Sequence, residues 1–93
     1  MDIHPGEFVC STKGRDKGNC FLVVAKDDTY VYLADGKHRK VTNPKKKKLK
    51  HVVFVGASDE ALGQMLSEDN MPTNKQIRYF LRKCKESVSE QNC

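Results

Sequence analysis

Apolar and polar positions along the chain change their period near residue 57. Before that point, apolar residues come in short runs: Phe8-Val9-Cys10-Ser11, Cys20-Phe21-Leu22-Val23-Val24-Ala25, Tyr30-Val31-Tyr32-Leu33-Ala34 and Val52-Val53-Phe54-Val55. Runs this short, rich in β-branched and aromatic residues, predict strands rather than helices. A weaker strand is expected at Arg39 to Val41, ended by Pro44, which also biases Asn43 toward an extended backbone. Lys26-Asp27-Asp28-Thr29 supplies turn chemistry. Asp35-Gly36 predicts a hairpin turn, because glycine takes a positive φ without a Cβ clash. About five closely spaced strands predict a small barrel or sandwich.

After residue 57 the period becomes helical. Ser58 suits an N-cap, with Asp59 and Glu60 in the first turn and Ala61, Leu62, Met65 and Leu66 on an apolar face that Gly63 weakens. Glu68 to Pro72 breaks the pattern. Thr73 and Gln76 then form a capping-box pair. Ile77, Phe80, Leu81 and Cys84 follow at i, i+3, i+4 and i+7, one stripe of an amphipathic helix. Ser87 to Cys93 is polar and expected to fray. Two short amphipathic helices are not stable alone in water and are expected to pack on the strands. The chain thus divides into a strand-rich part, residues 1–57, and a helical extension, residues 58–93. With Val31 and Leu33 lining the core, Tyr30 and Tyr32 face the other way and are expected to seat a helix.

Composition narrows the function. A chain of 93 residues makes one domain with a thin core. At 38% hydrophobic residues and no Trp it has too little apolar matter for a deep substrate pocket. No apolar run is long enough to span a membrane. His4, His38 and His51 are isolated, so no metal site is expected. Cys10, Cys20 and Cys84 fall on strand or stripe positions suited to small buried hydrophobes, and no positioned base marks any of them as a nucleophile. The expectation is a protein that is not an enzyme, with no cofactor and no small-molecule substrate. The four cysteines, with Cys93, form no Cys-x-x-Cys pair. Asp2, Glu7 and Lys13 precede any apolar run, so no secretion signal is expected. Reduced thiols in a cytoplasmic protein are expected over a disulfide framework.

Charge is the strongest departure from the ordinary. The net charge is +5. Residues 1–57 hold 12 Lys/Arg against 6 Asp/Glu, whereas residues 58–93 hold 5 against 6. Residues 37–50 alone carry eight cations and no acid. A field of one sign on this scale attracts a polyanion. A second cluster, Lys13, Arg15 and Lys17, lies in a loop between Gly14 and Gly18 and their flanking strands. Glycines let backbone N–H groups turn outward, Arg15 offers a planar fork and Lys17 a point charge. Asp16 is placed to brace the turn. The loop lacks the Walker A pattern, and no helix starts after Gly18 to cradle a nucleotide.

The spacing Gly6…Val9…Gly14-x-x-Lys17-Gly18…Val23 resembles the KOW motif of SH3-like barrels in ribosomal proteins and transcription–translation factors. Phe21 stands where many such motifs have a further glycine. Tyr30–Gly36, Arg39-Lys40-Val41, Pro44–His51 and Thr73–Arg78 extend the resemblance to the large-subunit ribosomal protein fourteen family of archaea and eukaryotes and its small bacterial relatives. The resemblance implies a small SH3-like (KOW) barrel, so that the fold expected is such a barrel of about five strands followed by the two short amphipathic helices read from the pattern. It also implies binding to structured RNA, above all ribosomal RNA of the large subunit, alongside ribosomal proteins. The residues it points to, together with the basic run, are Lys13, Gly14, Arg15, Lys17, Gly18, Lys37, Arg39, Lys40, Lys45, Lys46, Lys47, Lys48 and Lys50. The alternative is a protein-interaction barrel of the SH3 type, against which the scarcity of aromatics weighs.

Overall fold

The computed structural model describes residues 3–57 and 72–91, with side chains described for 3–56 and 72–84. The order of elements is β1 (Glu7–Ser11), β2 (Cys20–Lys26), β3 (Tyr30–Ala34), β4 (Lys45–Lys48), a 3-10 turn (Leu49–His51), β5 (Val52–Ala57) and a helix α1 (Asn74–Gln91). The strands form one antiparallel sheet in the order β4-β3-β2-β1-β5. The expected helix from Ser58 lies outside the described residues. No described helix is long and apolar enough to cross a membrane.

The connection between the two edge strands shapes the sheet. In a flat sheet β4 and β5 would lie roughly 19 Å apart, at about 4.8 Å per strand. The three-residue 3-10 turn that joins them advances only about 6 Å. The sheet must therefore curl. Its inner face accordingly gathers Val31 and Leu33 of β3, Val23 of β2, Val9 of β1 and Val52 of β5 into one buried cluster with Ile3 and Phe21. Backbone bonds from Leu49 to Thr29 and from Thr12 to His51 tie the turn to both flanks.

The outer face has its own core. Phe8, Leu22, Val24 and Ala34 pack against Ile77 and Leu81 of α1, with Phe80, Cys84 and Tyr32 at the edge. This explains the unbroken apolar run of β2. Phe21, Leu22, Val23 and Val24 are all buried because both faces of that strand are covered. The four stripe residues of α1 all reach this cluster, and each fully buried one contributes roughly 1.5 to 3 kcal/mol. The capping box forms as the sequence predicts: the Thr73 backbone N–H donates to Gln76 Oε1 at 2.9 Å, and the Gln76 N–H to Thr73 Oγ1 at 3.1 Å. The helix continues to Gln91, past the point where fraying is expected. β5 is less buried than its composition suggests: Val52 is covered, but Val53 and Phe54 are 42% and 50% exposed.

Two expectations are corrected. Arg39 to Val41 is not a strand. Asp35 Oδ1 instead accepts the backbone N–H groups of Lys37 and Arg39, both at 2.8 Å, and the Val41 N–H goes to Asn74 Oδ1 of α1. Two of the segment's three backbone donors are spent on side chains, which leaves too few for a ladder. The fourth strand is the lysine run itself, which pairs with β3 in the register Tyr30↔Lys48 to Leu33↔Lys45. Nor are all the strand cysteines thiols. Cys10 and Cys20 are cross-strand partners with Cα atoms 4.0 Å apart, joined as a disulfide at the neck of the Gly14–Gly18 loop.

Candidate nucleic-acid interface

The loop between β1 and β2 is a tight, inward-bonded turn. Gly14 and Gly18 both have φ of +89°, which an L side chain rarely adopts. The expectation that they present backbone N–H groups outward is not met at Gly18. Its N–H donates to the Ser11 carbonyl at 2.8 Å, and the N–H groups of Lys17 and Asn19 go to the carbonyls of Gly14 and Asp16. What the loop displays are side chains: Lys13, Arg15 and Lys17 are all exposed.

Asp16 is the exception in the loop and its anchor. It is buried, and its side chain collects partners from two elements. Oδ1 accepts from Ser11 Oγ at 2.9 Å and from Lys47 Nζ at 2.6 Å, while Oδ2 meets Lys45 Nζ at 2.8 Å. Lys47 Nζ also donates to the Lys13 carbonyl at 2.6 Å. Burial alone would raise the Asp16 carboxyl. Hydrogen bonds from Lys45, Lys47 and Ser11 overcome that and hold it well below the usual carboxylate range. The sequence suggested that Asp16 would brace the turn through nearby backbone. It braces the turn by gripping β4, 31 residues further along the chain.

The alternation of β4 now sorts its lysines. Lys45 and Lys47 share the inner face with Leu33 and Val31, and are taken by Asp16. Lys47 is only 9% exposed, so it is a structural ammonium rather than a displayed one. Lys46 and Lys48 turn outward and are exposed. Lys46 Nζ sits 4.2 Å from the centre of the Tyr30 ring. Tyr32, expected like Tyr30 to seat a helix, does pack beside the α1 cluster and also donates its hydroxyl to Asp27 at 3.1 Å.

Lys13 of the loop, Lys48 of β4 and Lys50 of the 3-10 turn come together around His51, which is half-buried where that turn meets Thr12. The His51 pKa is lowered by desolvation first and then by Lys13, Lys50, Lys48 and Lys47. The remaining sequence-predicted cations belong to a different neighbourhood. Lys37 and Lys40 are exposed and Arg39 half-buried in the connection of residues 35–44, which is held by α1. There Arg78 Nη1 donates to the Gly36 carbonyl. Gly36 has φ of +78°, and a Cβ on it would fall 2.3 Å from the Asn74 carbonyl oxygen, so only glycine lets this turn approach the helix so closely. The exposed cations of α1 have no part in binding on the sequence reading, which gives only Lys83, with Lys85, a place near the C-terminal half of the helix that suits its dipole. Their signal was there, in cations at helical spacing opposite the apolar stripe, but the acids of the preceding segment masked it in the net charge. No protein-family model matches the chain, and no curated protein matches it.

Proposed function

We propose that this chain is a non-catalytic RNA-binding protein. Its curled sheet would be an SH3-like barrel of the KOW kind, and its target structured RNA of the large ribosomal subunit, in a role tied to the ribosome or to translation. The preference for RNA over DNA rests on the KOW resemblance. The observation that carries the reading is how the one acid of the loop is used. Asp16 is sequestered beneath the surface and draws β4 against the loop. Lys13, Arg15, Lys17, Lys46, Lys48 and Lys50 are left exposed on the joined elements. Charges presented in this way suit phosphates, whose released counterions drive binding.

Fluorescence anisotropy with a labelled large-subunit ribosomal RNA fragment tests this. With about six phosphates contacted, log affinity falls against log salt with a slope of roughly −4 to −5. Arg15→Glu with Lys17→Glu weakens binding and flattens that slope. A wild-type affinity indifferent to salt would overturn the reading.

A further inference from the structure

The helix α1 buries one face and exposes another. The exposed face carries Lys75, Arg78, Tyr79, Arg82 and Lys83. These positions recur at i, i+3, i+4, i+7 and i+8, which places them on one stripe opposite Ile77, Phe80, Leu81 and Cys84. Residues 73–84 contain no acid. Like charges at helical spacing repel, and the first acid of the helix, Glu86, is spaced to pair only with Arg82 and Lys83, which leaves Lys75 and Arg78 with no carboxylate three or four residues away. An isolated helix gains nothing from such a stripe; an anion laid along it does.

Tyr79 sets this stripe apart from a solvated charge face. It is 46% exposed, among the most exposed large apolar side chains described. The Arg82 guanidinium carbon and Lys83 Nζ lie over its ring, 5.9 and 5.7 Å from the centroid. An accessible ring bordered by cations is the composition that holds unpaired nucleotides: the base stacks on the ring and its phosphates reach the cations. Paired RNA keeps its bases stacked inside the helix and has no use for such a ring.

Beside the stripe runs a groove of about 400 Å³ between α1 and the 35–39 turn. Lys37, Arg78 and Arg82 border it, with Cys20 and Leu81 contributing apolar surface. Asp35 also lines it, but one of its oxygens is taken by the backbone N–H groups of Lys37 and Arg39. The groove has fixed walls, because the Arg78–Gly36 hydrogen bond and the Asn74–Val41 hydrogen bond clamp turn to helix.

The geometry points to a second RNA contact on the outer face of α1. An unpaired base stacks on Tyr79, while the neighbouring phosphates meet Arg82, Lys83 and, across the groove, Lys37. This rests on the RNA-binding reading above and adds to it the kind of RNA required, one with exposed single-stranded nucleotides.

The test uses the full chain with two labelled probes, a short oligouridylate and a perfect RNA duplex of equal length. Tyr79→Ala lowers affinity for oligouridylate about tenfold, the scale of one lost base–aromatic stack, and leaves the duplex unaffected. Tyr79→Phe, which keeps the stacking face, stays within about twofold of the parent on both. Arg15→Glu with Lys17→Glu weakens both probes. Equal oligouridylate affinity for Tyr79→Ala and parent, or an equal loss on both probes, overturns the platform while leaving the loop interface standing. Failure of the parent to bind oligouridylate overturns the platform, while the large-subunit RNA fragment decides separately whether the loop interface binds RNA. Should Tyr79→Ala not melt as the parent does, Lys37→Gln with Arg82→Gln carries the test. Both side chains are exposed, and the proposal stands only if that pair weakens oligouridylate more than duplex.

Discussion

The inner and outer faces of β4 carry the same residue type and do opposite things. On the inner face, Lys45 and Lys47 close on Asp16, and Lys47 is almost entirely out of solvent. On the outer face, Lys46 and Lys48 stand in water. Charge counted along a sequence is therefore not charge displayed. Four consecutive lysines hold two structural groups that lock the loop in place and two that remain available to a ligand. Outward lysines on an edge strand also keep that edge from pairing with another chain.

The largest effect that separates the two faces is on stability. Lys47→Ala removes the most buried partner of Asp16, which keeps Lys45 and Ser11, and costs about 2 to 3 kcal/mol in denaturant unfolding, whereas Lys46→Ala and Lys48→Ala stay within about 0.5 kcal/mol. Equal losses at Lys46 and Lys47 would erase the distinction. Lys47→Met combined with Asp16→Asn recovers most of the loss, because no uncompensated charge remains buried.

A smaller effect distinguishes the Asp16 anchor from the clamp at α1. Gly36→Ala forces a Cβ against the Asn74 carbonyl at a positive φ, at a cost of about 2 kcal/mol. Hydrogen exchange should show it loosening the 35–44 connection and the first turn of α1 while leaving the β1–β2 loop protected. Protection lost equally in that loop would show the two to be one unit.

The smallest effect is acid sensitivity. The folded protein holds the Asp16 carboxyl below its ordinary 3.8. The unfolded chain therefore takes up the proton first, and stability falls as pH drops below that value. The loss amounts to at most about 1 kcal/mol at about pH 3 once solvent screening is allowed for. Asp16→Asn removes this component of the acid response, which a comparison of unfolding midpoints at neutral and acid pH would detect.

What the sequence revealed follows from the range of the interactions involved. β1, β2, β3 and β5 are legible because their apolar runs are local signals. So is α1, whose capping box and stripe both form. β4 is hidden because lysine has little strand preference and Pro44 suggests an ending, although it precedes the strand. Val41 misleads in the opposite sense: its β-branched side chain suggests a strand, but a helix 33 residues away takes its N–H. The Cys10–Cys20 pairing depends on the β1–β2 register, which spacing alone does not supply. Within the candidate interface, the exposed loop cations were legible residue by residue. The fate of Lys47 was not, because the acid that claims it lies on another element.

The bracing of the loop from β4 also limits how it can be moved. A synthetic hairpin spanning residues 6–24 would retain Gly14 and Gly18, the cysteine pair and all three displayed cations. It would nevertheless lack the two ammonium groups that hold the aspartate down. In such a peptide the carboxylate is free to swing into solvent beside Arg15 and Lys17 and to weaken their pull on any phosphate. Transplanting this motif onto another scaffold therefore requires a lysine-bearing neighbour strand as part of the graft.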